Sequence, residues 1–350
     1  MEDNKKFIIK SEKKRIEEFE QEHKDRLLGM KETVEYICLE GNSYSKKFCQ
    51  EFAEVLKQLD NLKYLDLQNI FVSRLKDEIP ESLQYIGDSL IGKNIIELDL
   101  SDNAVNPFGA KALQNYLSQA KSLKKFYINN CGLGPEGTET IAQALEKGTP
   151  NLEVLAIARN RAEDKGGKAV GIAVGKMENF RELHIYQDVV RKEGMVHLLE
   201  NLRKCKKLEI LDIRDNFLKE EAIEEMAKLI KETKTLKGLN LSDCNMEEED
   251  NDAIIEALQE STNDFQKFGY NYNELSGKQA QALLDAILKN STKLERLDIK
   301  GNEFRKGTQK YYQDKLEEKG CKEALSLFES DDEDEETQNL IETFSHLKIQ

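Results

Sequence analysis

One spacing recurs through most of the chain and limits what it can fold into. The stretch Leu123–Leu145, LKKFYINNCGLGPEGTETIAQAL, shows the unit. Leu123, Phe126, Ile128, Cys131 and Leu133 follow the pattern L-x-x-L-x-L-x-x-N/C-x-L of a leucine-rich repeat. Phe126 and Ile128 alternate with Tyr127, as in a short strand with one buried face. Pro135 then opens a segment in which Thr138, Ile141, Ala142 and Leu145 recur at helical spacing. Copies begin at Val34, Leu62, Ile95, Leu123, Leu152, Phe180, Leu208, Leu236, Phe265 and Leu294. Most steps between them are about 28–29 residues, the long end of the leucine-rich range. One strand and one helix cannot enclose a core, so each unit must stack on its neighbours.

The expected fold is therefore α/β: a leucine-rich repeat solenoid over residues 34–318. It is expected to curve into an arc, with a parallel sheet on the concave face and helices on the convex face. Stability then sums over neighbouring repeats, so no boundary inside the solenoid is expected. The two apolar residues of each strand face the core. The Asn at the ninth position (Asn42, Asn103, Asn160, Asn216, Asn273, Asn302) turns inward to satisfy buried backbone groups. Cys131 and Cys244 take that place and read as ladder residues. Tyr270 reads as packing. His184, outward on its strand, and the helical His197 are too isolated for a metal site. Residues 1–33 read as an N-terminal capping helix with Ile16, Phe19 and Leu27 as its apolar stripe. Residues 319–350 read as a cap, the acidic run Ser330–Glu336 and a short tail helix.

Net charge is −15, which argues against nucleic acid or an anionic membrane as partner and for a partner with a basic face. The six cysteines show no C-x-x-C pair, and no apolar leader follows Met1, so a reduced intracellular protein is expected. No zinc spacing, P-loop, H-E-x-x-H or G-x-S-x-G is present. The chain reads as no enzyme in its own right, with no cofactor and no metal.

One place breaks the regularity. The step from Leu62 to Ile95 is longer than the others, and the excess falls in Ile70–Pro80, IFVSRLKDEIP. This presents Arg74, Lys76, Asp77 and Glu78 on an irregular loop. Asn130 sits one place before the inward position, so its amide should stand on the rim beside that loop. Asp102, Asp215 and Asp243 hold the equivalent rim place, and Asp66, Asp99, Asp212 and Asp298 the outward strand place, which suggests a surface for Lys and Arg of a partner. Arg159 and Arg161 flank Asn160 as a basic spot in that rim.

Four strings resemble the Ran GTPase-activating proteins, leucine-rich proteins of the ribonuclease-inhibitor-like type. FVSRLKDEIPESL (Phe71–Leu83) resembles the family's arginine-bearing loop. LSDNAVNPFGAKAL (Leu100–Leu113) resembles its L-S-D-N-A-F-G-P segment, with Val105 and Asn106 in place of F-G. YINNCGLGPEG (Tyr127–Gly137) is similar to its N-N-x-G-L-G signature, and ARNRAEDKG (Ala158–Gly166) to its G-R-N-R-L-E-N-D-G segment. The resemblance implies an activator of GTP hydrolysis that binds Ran in its GTP form and works without an arginine finger, by ordering Ran's own glutamine. It also implies a role in nucleocytoplasmic transport. On that resemblance Arg74 matches the essential arginine and anchors the GTPase, so Arg74→Ala should remove activation and leave the fold intact. Asn130 matches the asparagine that touches Ran's glutamine, and Lys76, Asp77, Glu78, Asp102, Arg159, Arg161, Asp215 and Asp243 are further contact candidates. A cytoplasmic, perinuclear monomer is expected, with Ran-binding proteins as further partners and no nuclear-pore tethering domain. The competing reading is a leucine-rich scaffold or inhibitor that binds a basic protein without activating it.

Overall fold

The computed structural model describes residues 5–302 and 306–325. The chain divides into two compact units, Met1–Phe180 with Gln187–Val190, and Arg181–Tyr186 with Arg191–Gln350. Each repeat touches only its neighbours, so contacts are local within each body.

In the first unit each copy of the pattern is a three-residue strand followed by a helix. The strands are β1 (Lys6–Ile8), β3 (Tyr36–Cys38), β5 (Tyr64–Asp66), β6 (Glu97–Asp99), β7 (Lys125–Tyr127) and β8 (Val154–Ala156), and they pair in parallel in that order. A smaller parallel pair joins β2 (Arg15–Ile16) to β4 (Ser43–Tyr44). The helices are α1 (Gln21–Gly29), α2 (Lys46–Leu56), α3 (Glu78–Leu90), α4 (Asn106–Leu117), α5 (Gly134–Gly148) and α6 (Glu163–Val174). The register places Phe7, Ile37, Leu65, Leu98, Phe126 and Leu155 side by side, each no more than 2% exposed. That row is the apolar period read in the sequence, and each fully buried side chain contributes roughly 1.5–3 kcal/mol.

The second unit repeats the plan. Strands β9 (Glu182–His184), β10 (Ile210–Asp212), β11 (Gly238–Asn240), β12 (Lys267–Gly269) and β13 (Arg296–Asp298) are parallel in sequence order. They alternate with α7 (Lys192–Leu202), α8 (Glu221–Glu232), α9 (Glu248–Glu260), α10 (Gly277–Asn290) and α11 (Lys306–Glu318). Tyr270 is buried, and its hydroxyl donates to Asn251 Oδ1 at 2.7 Å, which agrees with a packing role. The acidic run and tail helix lie outside the described residues. Among the described residues no helix is long and apolar enough to cross a membrane.

The N-terminal segment differs from the single helix expected. It is a shortened repeat: strand β1, the two-residue strand β2, and the helix α1. Phe7 and Ile9 are buried while Ile8 between them is 48% exposed, a strand alternation that the surrounding lysines obscure in the sequence. The physical reason is edge protection. Without β1, the strand Tyr36–Cys38 would present unpaired backbone groups to solvent.

The ladder forms as expected. Asn103 accepts from the N–H groups of Ile70 and Phe71 at 2.9 and 3.1 Å, and its amide donates to the carbonyls of Leu67 and Leu100 at 2.8 Å. Asn160 repeats this with Cys131 N–H and the carbonyls of Ile128 and Ile157. At Cys131 and Cys244 the thiol donates to carbonyls instead, and burial pushes both thiols up, so they stay protonated.

Asp188 holds the same ladder place and is fully buried. Its Oδ1 accepts from the N–H groups of Asn160 and Ala162 at 2.8 and 3.2 Å. Its Oδ2 stands where an asparagine would put its amide donor, and has no hydrogen-bond partner. Burial pushes this carboxyl up to about 7, against the opposing pull of those N–H groups. The folded chain therefore holds a proton that the unfolded chain releases above a pH of about 4. Stability from this group falls as pH rises from about 4 to about 7, by roughly 4 kcal/mol, and is flat above that. Asp188→Asn supplies a permanent donor and removes this slope. We expect the variant to be about 1–3 kcal/mol more stable than wild type at pH 8, with the gap closing toward pH 5. Denaturant melts of both proteins at the two pH values check this; an equal gap at both would contradict it.

Candidate functional site

The strand-to-helix turns set the rim. In each turn the residue before the ladder position adopts a left-handed backbone: Asp102 (φ 58°), Asn130 (φ 50°), Arg159 (φ 59°), Asp215 (φ 53°) and Asp243 (φ 52°). Asn and Asp tolerate this conformation better than other residues with a Cβ. The row of rim aspartates thus has a backbone cause that sequence reasoning missed. The outward strand aspartates have one too. Asp66 and Asp99 accept from the N–H two residues on, at 3.1 and 2.8 Å, and so terminate their strands. In the second unit Asp298 pairs with Arg296 at 2.7 Å. His184 is buried rather than free on its strand. Burial pulls the imidazolium down, but the carboxylates of Asp212 and Glu182, 4.0 and 3.8 Å from its ring nitrogens, outweigh it and raise the group to about 9. In the second unit Asp298 and Asp212 thus face cationic groups, whereas Asp66 and Asp99 keep the acidic lining expected from the sequence.

Asn130 is exposed on the rim, and its backbone N–H donates to the Ala158 carbonyl at 2.9 Å. Its Nδ2 donates to Asp102 Oδ1 at 2.8 Å, and Gln68 Nε2 donates to Asp102 Oδ2 at 2.9 Å. A carboxylate only accepts, so this contact fixes which end of the Asn130 amide faces it. The Asn130 carbonyl oxygen then has no donor among the described residues. Next to it, Asn129 is buried and accepts from Ala158 N–H at 2.9 Å. The pair divides the work: Asn129 holds the turn and Asn130 faces solvent.

Beside Asn130 lies an open hollow of about 780 Å³, lined among others by Lys76, Asp77, Asp102, Pro107, Phe108 and Asn130. The structure thus brings together four of the residues picked out in the sequence. Glu78 opens α3 and is not among the lining residues; an acid in a first helical turn is favoured by the helix dipole. Asp215 and Asp243 occupy the rim of the second unit. Arg159 and Arg161 are exposed, both left-handed, and neither side chain has a hydrogen bond or ion pair among the described residues. An arginine held left-handed costs on the order of 1 kcal/mol, a strain often kept for function.

Arg74 departs from expectation. The loop backbone is irregular, but the guanidinium turns inward, and the side chain is only 3% exposed. Nη2 donates to the carbonyls of Ser43 at 2.6 Å and Ile16 at 3.1 Å, Nε to Ser43 Oγ at 3.0 Å, and Nη1 to both Glu17 oxygens at 2.9 and 3.0 Å. Those carbonyls belong to the β2–β4 pair, so Arg74 ties the loop to the N-terminal repeat. The Ser43 hydroxyl donates in turn to the Val72 carbonyl.

The departure at Val105–Asn106 is conservative in physical terms. Val105 is fully buried, as an aromatic there would be, and Asn106 takes the left-handed backbone (φ 54°) that a glycine provides. Cys38, Glu40 and Asp66 bring potential ligand atoms within 4.8 Å of one another. Burial pushes the Cys38 thiol up to about 11, so at neutral pH this is a thiol beside two acids, not a thiolate.

A leucine-rich repeat family model matches residues 93–113. A Ran GTPase-activating protein of Drosophila melanogaster is 34% identical over 189 residues, 50% of this chain and 32% of the relative. Ran GTPase-activating protein 1 of Xenopus laevis is 34% identical over 170 residues, 45% of this chain and 29% of the relative. Ran GTPase-activating protein 1 of Saccharomyces cerevisiae is 29% identical over 279 residues, 75% of this chain and 68% of the relative. The chain thus spans about a third of the animal relatives' length. Together with the repeat register and the ladder, these likenesses show a leucine-rich repeat protein similar to the Ran GTPase-activating proteins.

Proposed function

We propose that this chain accelerates GTP hydrolysis by the small GTPase Ran in its GTP form, and that it does so by positioning. The observation that carries the reading is the Asn130 amide. Its nitrogen is held by Asp102, so its carbonyl oxygen points outward as a fixed acceptor. A glutamine side chain of the GTPase can donate one N–H to that oxygen and keep its own carbonyl for the attacking water. Holding a reactant in place lowers the barrier mainly by removing orientational freedom. For a related small GTPase assisted by an arginine finger the acceleration is about 10⁵-fold, which sets a ceiling here. The inward, fully engaged guanidinium of Arg74 favours a mechanism without an arginine finger from this loop. Arg159 and Arg161, exposed and without partners, are proposed contacts to acidic groups of the GTPase. A cytoplasmic site of action, a monomeric state and accessory Ran-binding proteins belong to the same proposal.

The test is single-turnover hydrolysis of Ran·GTP with substoichiometric amounts of the full chain. Acceleration of several orders of magnitude over Ran alone is expected. No acceleration, with binding indifferent to nucleotide, would instead favour a scaffold that captures a basic protein.

A further inference from the structure

Phe108 is the most exposed large apolar side chain among the described residues, at 75%. It was not among the positions singled out in the sequence. The structure shows why it is exposed. Val105 fills the core place, and Asn106 turns the chain through its left-handed conformation so that the next residues begin α4 on the outside. Phe108 N–H donates to Asn106 Oδ1 at 2.8 Å, and Pro107 fixes the first turn of the helix.

This helix start is rigid. A Cβ at Gly109 would lie 2.8 Å from Val105 and 2.9 Å from Leu83, and one at Gly137 would lie 3.3 Å from the Pro107 backbone. Packing that close holds the Phe108 backbone in place, so the ring is displayed and not merely loose. The ring lines the same hollow as Asn130, Lys76 and Asp77. Leu75, immediately before Lys76 on the loop, is itself 70% exposed. An aromatic ring with charged neighbours of both signs around it has the composition of an interface hot spot: an apolar centre and a polar rim.

We propose that Phe108 is the apolar anchor of the GTPase interface. It packs against an apolar side chain of the same segment that carries the GTPase's catalytic glutamine, while Lys76 and Asp77 meet charged groups of that segment. The occupant follows from continuity with the proposed contact: Asn130 and Phe108 line one hollow, so a segment seated at Asn130 has Phe108 within the same recess. This rests on the proposed activation of Ran. Because close packing holds the backbone that carries the ring before binding, only side-chain rotamer freedom is lost on contact. The anchor therefore acts on affinity, and Asn130 acts on the chemical step.

Ran loaded with a non-hydrolysable GTP analogue is titrated against the full wild-type chain, Phe108→Ala and Phe108→Leu. KM and kcat for activated hydrolysis are measured in parallel. Phe108→Ala is expected to raise Kd and KM about 10- to 100-fold with kcat at saturation within about two-fold, and Phe108→Leu to recover most of the affinity. The thermal melt of both variants should match wild type, since the ring is exposed. An active wild type with Phe108→Ala unchanged in Kd, or reduced only in kcat, overturns the anchor. A wild type that neither binds nor activates Ran overturns the functional reading itself.

Discussion

Arg74→Ala is expected to destabilise the first unit by about 3–5 kcal/mol and to lower GTPase activation by about 10²–10³-fold. The first figure follows from what the guanidinium leaves behind. The carbonyls of Ile16 and Ser43 each lose a charged donor, Ile16 keeping the Ser45 N–H, and the Ser43 hydroxyl loses a partner. Each hydrogen bond from a charged donor contributes about 1.5–3 kcal/mol. Glu17 adds little, because its side chain is 60% exposed and returns to water. The second figure follows from the loop. Without its tie to the N-terminal repeat, the stretch from Val72 to Asp77 no longer holds Lys76 and Asp77 against the hollow. Arg74→Lys should rescue only in part, since one ammonium cannot reproduce a planar fork that meets two carbonyls, a hydroxyl and a carboxylate. Thermal melts and hydrogen exchange at residues 14–17 separate two roles. Lost protection there together with lost activation is the expected result. Full activation loss with unchanged melting and exchange would mean that Arg74 leaves its pocket and touches the GTPase directly.

Asn130→Gly is expected to lower kcat for activated hydrolysis by about 10²–10³-fold with KM within a few-fold. The size is that of removing one well-placed polar contact from a reacting centre. Glycine is the informative replacement. At φ 50° an alanine would add backbone strain, whereas glycine adopts that conformation freely. The melt should therefore stay near wild type and leave the amide as the cause. Asn130→Asp makes a second test. It keeps an acceptor but sets a carboxylate against Asp102, now 2.8 Å from the amide nitrogen. We expect the two acids to repel, the acceptor to move, and activity to remain low. A fully active Asn130→Gly would remove the positioning mechanism and leave binding as the chain's only contribution.

Much of the site was legible before the structure. The rim place of Asn130 follows from counting one residue back from the ladder, and the solvent-facing amide confirms the count. The broken step between Leu62 and Ile95 located the loop. The rim aspartates were legible as positions but not as causes. A left-handed backbone selects Asn and Asp whether or not a partner is present. Phe108 gave no signal, because exposure at a helix start depends on which neighbouring residue fills the core. Asp188 was legible only as a ninth position, and its proton depends on burial.

The amino-acid order by itself determined the repeat, the strand register and the inward ladder, because these need only a periodic row of apolar residues and one polar residue per turn. The tertiary structure alone decided where Arg74 points, since its partners lie 31, 57 and 58 residues away. It also decided which end of the Asn130 amide is free, which depends on a carboxylate 28 residues earlier. Periodicity is a local property of the chain. The direction of a side chain on an irregular loop is set by whichever carbonyls and carboxylates folding brings beside it.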